Sequence, residues 1–600
     1  MTNGEIAKIM REMAILYEMD GVLFKPRAYE RAAFGVESLS TDVSEMYKKD
    51  GEKALLQIPG VGKGIAFHIA TILKGRSFPE YAKLKKKIPV DISALSSIEG
   101  VGPKMIKTLY EKLKIRNVAD LEKAAKAGKI RKIPYFGEKS EEKILKGIEF
   151  FKKSGGRRVL GHVLPEIKNM EKMILSFPEV ETAIVAGSAR RKKETIGDID
   201  ILAIPKATSK FEAIMDKFIA LPFIEHIFSK GKTKTMVKLK NGLDADLRVV
   251  PKESYGAALN YFTGSKDHNI ALRELAIKRG WKLNEYGLFK MQKSKTKNQN
   301  DKQKFKIKEV QIAGETEESI YEALDLRYIE PEMRENTGEI EVSRQNNLPK
   351  LIGYGDLKGD LQVQTDWTDG EDSIEAMAKA AAEYGLEYIA ITDHTKALAM
   401  TGGSDEKKLM KQMAEIDKLN SKFEIRNSKQ IPKSKFKILK GAEVNIMKDG
   451  SLDIDDKTLA ILDVVGAAVH SHFTLTREEQ TKRVIRAMEN PNVDIIFHLT
   501  GRVIDKRAPI ELDIDEIIKT AKRTGTVLEI DAYPDRSDIK DEYIKKCVLS
   551  GVKMSIDSDA HSKAHFSFLE MGIAQARRGW ARREDIINAW PVEKMLKMLK

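Results

Sequence analysis

Asp198 and Asp200 sit two residues apart in Gly197-Asp198-Ile199-Asp200, eleven residues after Gly187-Ser188, and a third carboxylate follows at Asp246. Alternation along an extended chain turns Asp198 and Asp200 to one face of a strand. Three gathered carboxylates repel one another unless divalent cations neutralise them, and hard oxygen ligands suit magnesium. Such a centre aligns a nucleophile with a nucleoside triphosphate and stabilises an in-line displacement. Asp-x-Asp alone also occurs in surface turns. The Gly-Ser partner and the third carboxylate favour a nucleotidyl-transfer site.

The elements that must position these groups are written around them. Ala183 to Ala186, Ile199 to Ile204 and Leu247 to Val250 are apolar runs flanking the acidic residues. They read as neighbouring strands of one sheet presenting the carboxylates at an edge.

Six hundred residues imply about four domains. A hydrophobic fraction of 42% and the lack of any ~20-residue apolar run describe a soluble chain with no membrane partner. The opening MTNGEIAKIM has no secretory core, and the single cysteine, Cys547, excludes an intrachain disulfide framework. A cytoplasmic, nucleoid-associated monomer is expected. The net charge of +14 favours a polyanionic partner.

The first 150 residues repeat a glycine hairpin before a helical stretch: Ile58-Pro59-Gly60-Val61-Gly62, then Ile98-Glu99-Gly100-Val101-Gly102, and a weaker copy at Ile133 to Gly137. Glycines let a backbone approach closely, and free amides at a helix start point at phosphate. A packing unit explains one copy. Repetition in a basic chain points to helix-hairpin-helix binding of the DNA backbone through Gly60, Gly62, Gly100 and Gly102. Met291 to Lys308 reads as an exposed lysine-rich loop, and about 404 to 437 as a second lysine-rich insertion. From Asp360 onward, short apolar strands alternate with helices, which argues for a parallel barrel-like domain.

The central motifs resemble those of the family X DNA polymerases. Gly187-Ser188 with Arg191, then Gly197 and the Asp198/Asp200 pair, match the nucleotide-binding palm. Leu243 to Arg248 match its third-carboxylate strand, and Tyr261-Phe262-Thr263-Gly264-Ser265 with Asn269 and Arg273 match the segment lining the incoming nucleotide. The resemblance implies that Asp198, Asp200 and Asp246 hold Mg2+ or Mn2+, and that Asp246 draws the primer hydroxyl proton. It implies that Ser188 and Arg191 hold the triphosphate and that Tyr261 and Phe262 discriminate the sugar. Gly264 and Asn269 would contact the nucleotide, and Arg248 and Arg273 the DNA. Lys266 departs from the acidic residue of vertebrate relatives. Lys25 and Tyr29 match positions holding a downstream 5′-phosphate. His68 stands where repair members place a Schiff-base lysine, so efficient deoxyribose-phosphate lyase activity is not expected.

The C-terminal region resembles the PHP (polymerase and histidinol phosphatase) domain fused to bacterial and archaeal family X enzymes. Asp369, His394, Glu443, His470, His498, Asp559 and His561 fall at its metal-ligand positions, implying a Mn2+ or Zn2+ cluster for phosphodiester hydrolysis. The first motif departs: Gln362 and Gln364 replace two histidines. Amide oxygens bind metal more weakly than imidazole, so one of three metal positions should be empty or weak, and 3′-5′ exonuclease activity impaired. The sets Glu443-His470-His498 and Asp369-His394-His561 remain complete.

The expected architecture is multidomain α+β and α/β. A helical end-binding domain (1–85) and a fingers-like helix-hairpin-helix domain (86–154) precede a mixed-sheet palm (155–257) and a thumb-like subdomain (258–335). A linker (336–358) leads to a (β/α)-barrel-like PHP domain (359–600). The expected activity is dNTP addition to a primer 3′-hydroxyl on gapped or primer-template DNA, in base-excision-type repair. The rivals are a DNA-binding scaffold derived from a polymerase, and a nucleotidyltransferase acting on RNA ends or small molecules.

Overall fold

The computed structural model describes the chain apart from residues 1–2, 38, 40–42, 76–77, 97, 99–100, 135, 154–156, 208–209, 297–303 and 426–435. Gly100 therefore lies outside the described residues. Two compact units form: Arg157–Lys350, and a second combining Met1–Gly156 with Leu351–Lys600.

In the unit Arg157–Lys350, a five-stranded sheet runs in the order Val180–Val185, Asp198–Pro205, Asp244–Val249, Lys234–Leu239, Ile224–Lys230. The strand Asp198–Pro205 lies parallel to Asp244–Val249 with Asp198 opposite Asp244 and Asp200 opposite Asp246. The remaining neighbours are antiparallel. Ile199, Ile201, Leu247 and Val249 are buried on the other phase of the alternation, which fixes the register that turns the acids to the opposite face. Helices Tyr255–Thr263 and Lys266–Lys278 follow, then a three-stranded antiparallel sheet of Trp281–Asn284, Gly287–Thr296 and Lys304–Ala313.

That hairpin corrects the loop expected over Met291 to Lys308. Thr296 pairs with Lys304 and Lys290 with Val310, so both ends of the lysine-rich stretch are strand, and residues 297–303 are not described. An antiparallel ribbon is held by its backbone ladder and does not need the apolar alternation that marks a half-buried strand.

In the other unit, the N-terminal residues form a helical array. The hairpins enter helices Lys63–Leu73 and Pro103–Leu113 with matching geometry: Gly62 has φ −84°, ψ 174° and Gly102 φ −82°, ψ 173°, and neither has a side-chain cap. Gly60, at φ 74°, packs against the Arg31 backbone so closely that a Cβ would overlap it.

Residues 359–600 form a seven-stranded parallel sheet in sequence order, from Gly359–Val363 to Met554–Asp557. Its edges meet, because the Gln364 amide donates to Ala560 O at 2.8 Å and Leu361 N to Asp557 Oδ1 at 2.7 Å. The sheet is a nearly closed barrel. The supposed insertion at 404 to 437 contains the crossover helix Glu406–Ile425 and opens into strand Lys437–Asn445. Leu409, Met413, Ile416 and Leu419 are buried; this apolar stripe was hidden in sequence by the lysines between its members. No helix among the described residues is long and apolar enough to cross a membrane.

Candidate functional sites

At the first site, Asp198 and Asp200 project from one strand and Asp246 from its parallel neighbour. Burial, with Asp198 and Asp246 adding repulsion, pushes the Asp200 carboxyl up to about 6. Lys234 Nζ lies 3.0 Å from Asp246 Oδ2, and Arg248 stands 4.0 Å from the same oxygen. The donor set fits a divalent cation. Three carboxylates share one edge of the sheet, burial and the two neighbouring acids disfavour the Asp200 anion more than Arg248 and Lys234 relieve it, and a lysine ammonium sits on Asp246. Gly187, at φ 63°, opens the short helix Gly187–Arg190, and a Cβ there would overlap the Asp200 carboxylate. Glycine is therefore required both for the turn and for the approach.

The residues assigned to the nucleotide are tied into this frame. Arg191 Nε pairs with Glu335 at 3.1 Å and its guanidinium donates to Thr263 O. Phe262 packs edge-on to Tyr261, centroids 5.1 Å apart, and carries the Arg248 guanidinium 4.2 Å above its ring. Asn269 Nδ2 donates to Tyr261 O at 2.7 Å, and Arg273 follows one helical turn later. Ser188 lies in the same short helix as Gly187, and Gly197 directly precedes the acidic strand.

Sequence reasoning missed the group beneath them. Glu317 is buried and accepts from Arg334 at 2.5 Å and Arg190 at 2.6 Å. Burial alone would raise its carboxyl, but the two arginines outweigh it and hold it near 2. These partners are 17 and 127 residues away, and no local pattern announces them. Lys234 was missed for the same reason. It stands on the strand facing Asp246, displaced by two residues from direct opposition.

In the N-terminal array, Lys25 pairs with Glu80 at 3.3 Å and Tyr17 Oη at 3.2 Å. Tyr29 is buried, its hydroxyl 2.5 Å from His68 Nδ1. His68 stacks on Phe78 with centroids 4.1 Å apart, and burial lowers its pKa. The position matching a Schiff-base lysine is thus an imidazole fixed on both sides.

At the barrel end, Glu443 lies on strand Lys437–Asn445. Its Oε1 is 2.9 Å from both His470 Nε2 and His498 Nε2. Its Oε2 accepts from Gln362 Nε2 at 3.0 Å and Gln364 Nε2 at 2.8 Å. The two substituted glutamines therefore occupy the carboxylate that their histidine counterparts would share through metal. Asp369, His394 and His561 converge within 4.8 Å, as do His394, Glu443 and His470. His394 thus stands between the two sets, a sharing the sequence did not indicate.

His561 Nδ1 is 2.7 Å from Asp559 O, and His470 Nδ1 is 2.8 Å from Asn445 Oδ1. These contacts turn each Nε2 toward the carboxylates, as partners of metal-binding histidines do. Burial holds His498 down near 4, with Arg536 contributing. Burial would raise Glu443, yet His394, His470 and His498 hold it well below its ordinary value. Asp369 Oδ1 is buried without a hydrogen-bond partner, and His470 Nε2 lies against the Glu443 carboxylate. Buried and oriented donors of this kind fit divalent metal. The Oε1 atoms of Gln362 and Gln364 are also buried and unpaired. They offer only neutral oxygens where imidazoles would bind.

A parallel pair of acidic strands beside a glycine-opened helix is an arrangement suited to nucleotidyl transfer, and a histidine–carboxylate cluster at the end of a parallel barrel is one suited to divalent metal. Comparison with known proteins narrows this. The DNA polymerase beta thumb family matches residues 258–335, the helix-hairpin-helix domain 1–78, the SAM-like helix-hairpin-helix tandem 92–149 and the PHP domain 360–532. The chain is 33% identical to the DNA polymerase/3′-5′ exonuclease PolX of Bacillus subtilis, over the whole length of both. It is 25% identical to DNA polymerase lambda of Arabidopsis thaliana over 55% of this chain and 62% of the relative. A probable phosphatase of Acetivibrio thermocellus is 30% identical over 32% of this chain and 73% of its own. The chain belongs to the family X DNA polymerases that carry a C-terminal PHP domain.

Proposed function

We propose that the protein is a DNA-dependent DNA polymerase that fills short gaps during base-excision-type repair. The observation that carries this is the register of Asp200 opposite Asp246, with Asp198 on the same face. Asp198, Asp200 and Asp246 would hold magnesium or manganese, which would supply Lewis-acid stabilisation of charge on the transferred phosphoryl group. Asp246 orients the primer 3′-hydroxyl and draws its proton. Ser188 and Arg191 hold the triphosphate oxygens, a task suited to a hydroxyl and a guanidinium fork. Arg191 exchanges Glu335 for phosphate when a nucleotide arrives. Tyr261 and Phe262 close against the sugar, Asn269 reaches the base, and Arg248 and Arg273 face the DNA. Gly60, Gly62, Gly100 and Gly102 bring hairpin backbone to DNA phosphates, and Lys25 holds a downstream 5′-phosphate in place of Glu80.

The domain division follows the sequence reading: 1–85, 86–154, 155–257, 258–335, linker 336–358 and 359–600. The enzyme works as a monomer in the cytoplasm at the nucleoid. In the PHP domain, Asp369, His394, Glu443, His470, His498, Asp559 and His561 hold Mn2+ or Zn2+. Gln362 and Gln364 weaken one position, so 3′-5′ exonuclease activity is reduced. Asp246→Ala and His498→Ala, compared with wild type on one primer-template, test both assignments. Extension should vanish only in the first and degradation only in the second. Degradation persisting in His498→Ala would remove the nuclease assignment from the PHP domain.

A further inference from the structure

The N-terminal helix Lys25–Glu37 has two working faces. Lys25 and Tyr29 share one, turned into the helical array toward Glu80 and His68. Arg27 and Arg31 share another, because two residues advance about 200° around a helix. That second face lines a cavity of about 550 Å³ together with the PHP residues Asp369, Asp559, His561 and Arg536. The volume falls in the range of pockets that enclose a small ligand.

An ion pair fastens the helix there, Arg31 Nε to Glu371 Oε1 at 3.6 Å. Glu371 lies two residues beyond Asp369, and its amide donates to His561 O at 2.8 Å. Arg31 therefore grips the strap joining two metal-ligand positions. Arg536 stands 3.6 Å from Asp559 and 3.5 Å from Asp531. Arg27 is exposed and makes no ion pair among the described residues. Glu30, Glu371 and Asp535 also face the cavity, and Arg31 already offsets Glu371. The pocket thus brings an uncommitted guanidinium into the same cavity as the candidate metal ligands Asp369, Asp559 and His561, an arrangement suited to bidentate capture of a phosphate.

We propose that Arg27 binds a backbone phosphate of a DNA strand whose neighbouring phosphodiester lies at the PHP ligands. Arg31 acts as a positioning residue by holding the helix on Glu371. The N-terminal domain would then use one face of a single helix for a 5′-phosphate and the other to complete the PHP pocket. The hydrolytic consequence rests on the phosphodiesterase reading of that pocket; the binding does not.

The test uses the full-length chain in two arms. In EDTA, phenylglyoxal modification of arginines is followed by peptide mass spectrometry with and without a thymidine hexanucleotide. Arg27 should be reactive alone and protected by the oligonucleotide. With Mn2+, hydrolysis of the same oligonucleotide should show KM raised roughly tenfold by Arg27→Glu, the worth of one partly screened charge-assisted contact. The turnover number should stay within about twofold, and Arg27→Lys should recover most of the affinity. Arg31→Ala should raise KM, and Arg31→Lys should rescue it, with bound manganese per chain unchanged in every variant. Absence of Arg27 protection, an unaltered KM in Arg27→Glu, or lost manganese would overturn the proposal. Protection in a wild type that hydrolyses nothing would instead sink the phosphodiesterase reading and leave the phosphate site standing.

Discussion

Replacing Asp200 by asparagine should abolish nucleotidyl transfer and yet make the metal-free sheet more stable. The Asp200 carboxyl is pushed from 3.8 to about 6, first by burial and then by Asp198 and Asp246. A raised pKa means that the folded state disfavours the anion. The penalty is fully present above pH 6 and fades as pH falls toward the unfolded value near 3.8. A shift of about 2 units corresponds to ~3 kcal/mol, and partial solvent access reduces this to between about 1 and 3 kcal/mol. Hydrogen exchange of peptides spanning residues 198–205, in EDTA, reads the opening free energy of that strand. Asp200→Asn should be more protected than wild type at pH 8, and the gap should shrink to roughly a third of that by pH 4.5. Excess magnesium should close or reverse the gap at pH 8, because a cation bound only to the folded wild type stabilises it by mass action. Equal protection in EDTA at pH 8, or a gain that persists undiminished at pH 4.5, would refute the claim that repulsion among these carboxylates awaits a cation.

Glu317→Ala should cost about 3–5 kcal/mol in chemical denaturation, since it leaves the buried Arg334 and its neighbour Arg190 unpaired. Because Glu317 is held near 2, its stabilising pairing should persist above the ordinary carboxylate value and fade only as pH falls toward 2. Gln362→His combined with Gln364→His should raise bound manganese by about one ion per chain in metal analysis and speed 3′-end hydrolysis; an unchanged metal content would contradict the ligand assignment. On abasic-site DNA, borohydride should trap little or no covalent adduct, because His68 offers no amine for an imine, and a strong adduct would overturn that expectation.

Part of the five-stranded sheet was legible because Asp198 and Asp200 alternate with buried isoleucines, although Leu202 to Pro205 are buried on both phases. Ile199 and Ile201 are buried while Asp198 and Asp200 face away, and this period of two set the carboxylates together before any coordinates. The barrel's histidines were legible as an ordered set, and the departures at Gln362 and Gln364 were visible at once. The strand carrying Glu443 was not identified as a strand, since lysines precede its apolar half. The hairpin beyond Gly287 and the helix Glu406–Ile425 were misread because lysine abundance masks both the ladder and the apolar stripe. Contacts such as Lys234 with Asp246 and Arg31 with Glu371 join distant segments. Only folding brings those charges together.

The most direct measurement is single-nucleotide incorporation into a one-nucleotide DNA gap with magnesium, comparing wild type with Asp246→Ala and offering an RNA 3′ end in parallel. Wild type should add one templated deoxynucleotide to the gapped primer and leave the RNA end largely unlabelled, while Asp246→Ala adds none. Extension by Asp246→Ala, no extension by wild type, or preferential labelling of the RNA end would contradict the assignment of Asp198, Asp200 and Asp246 as a gap-filling polymerase centre.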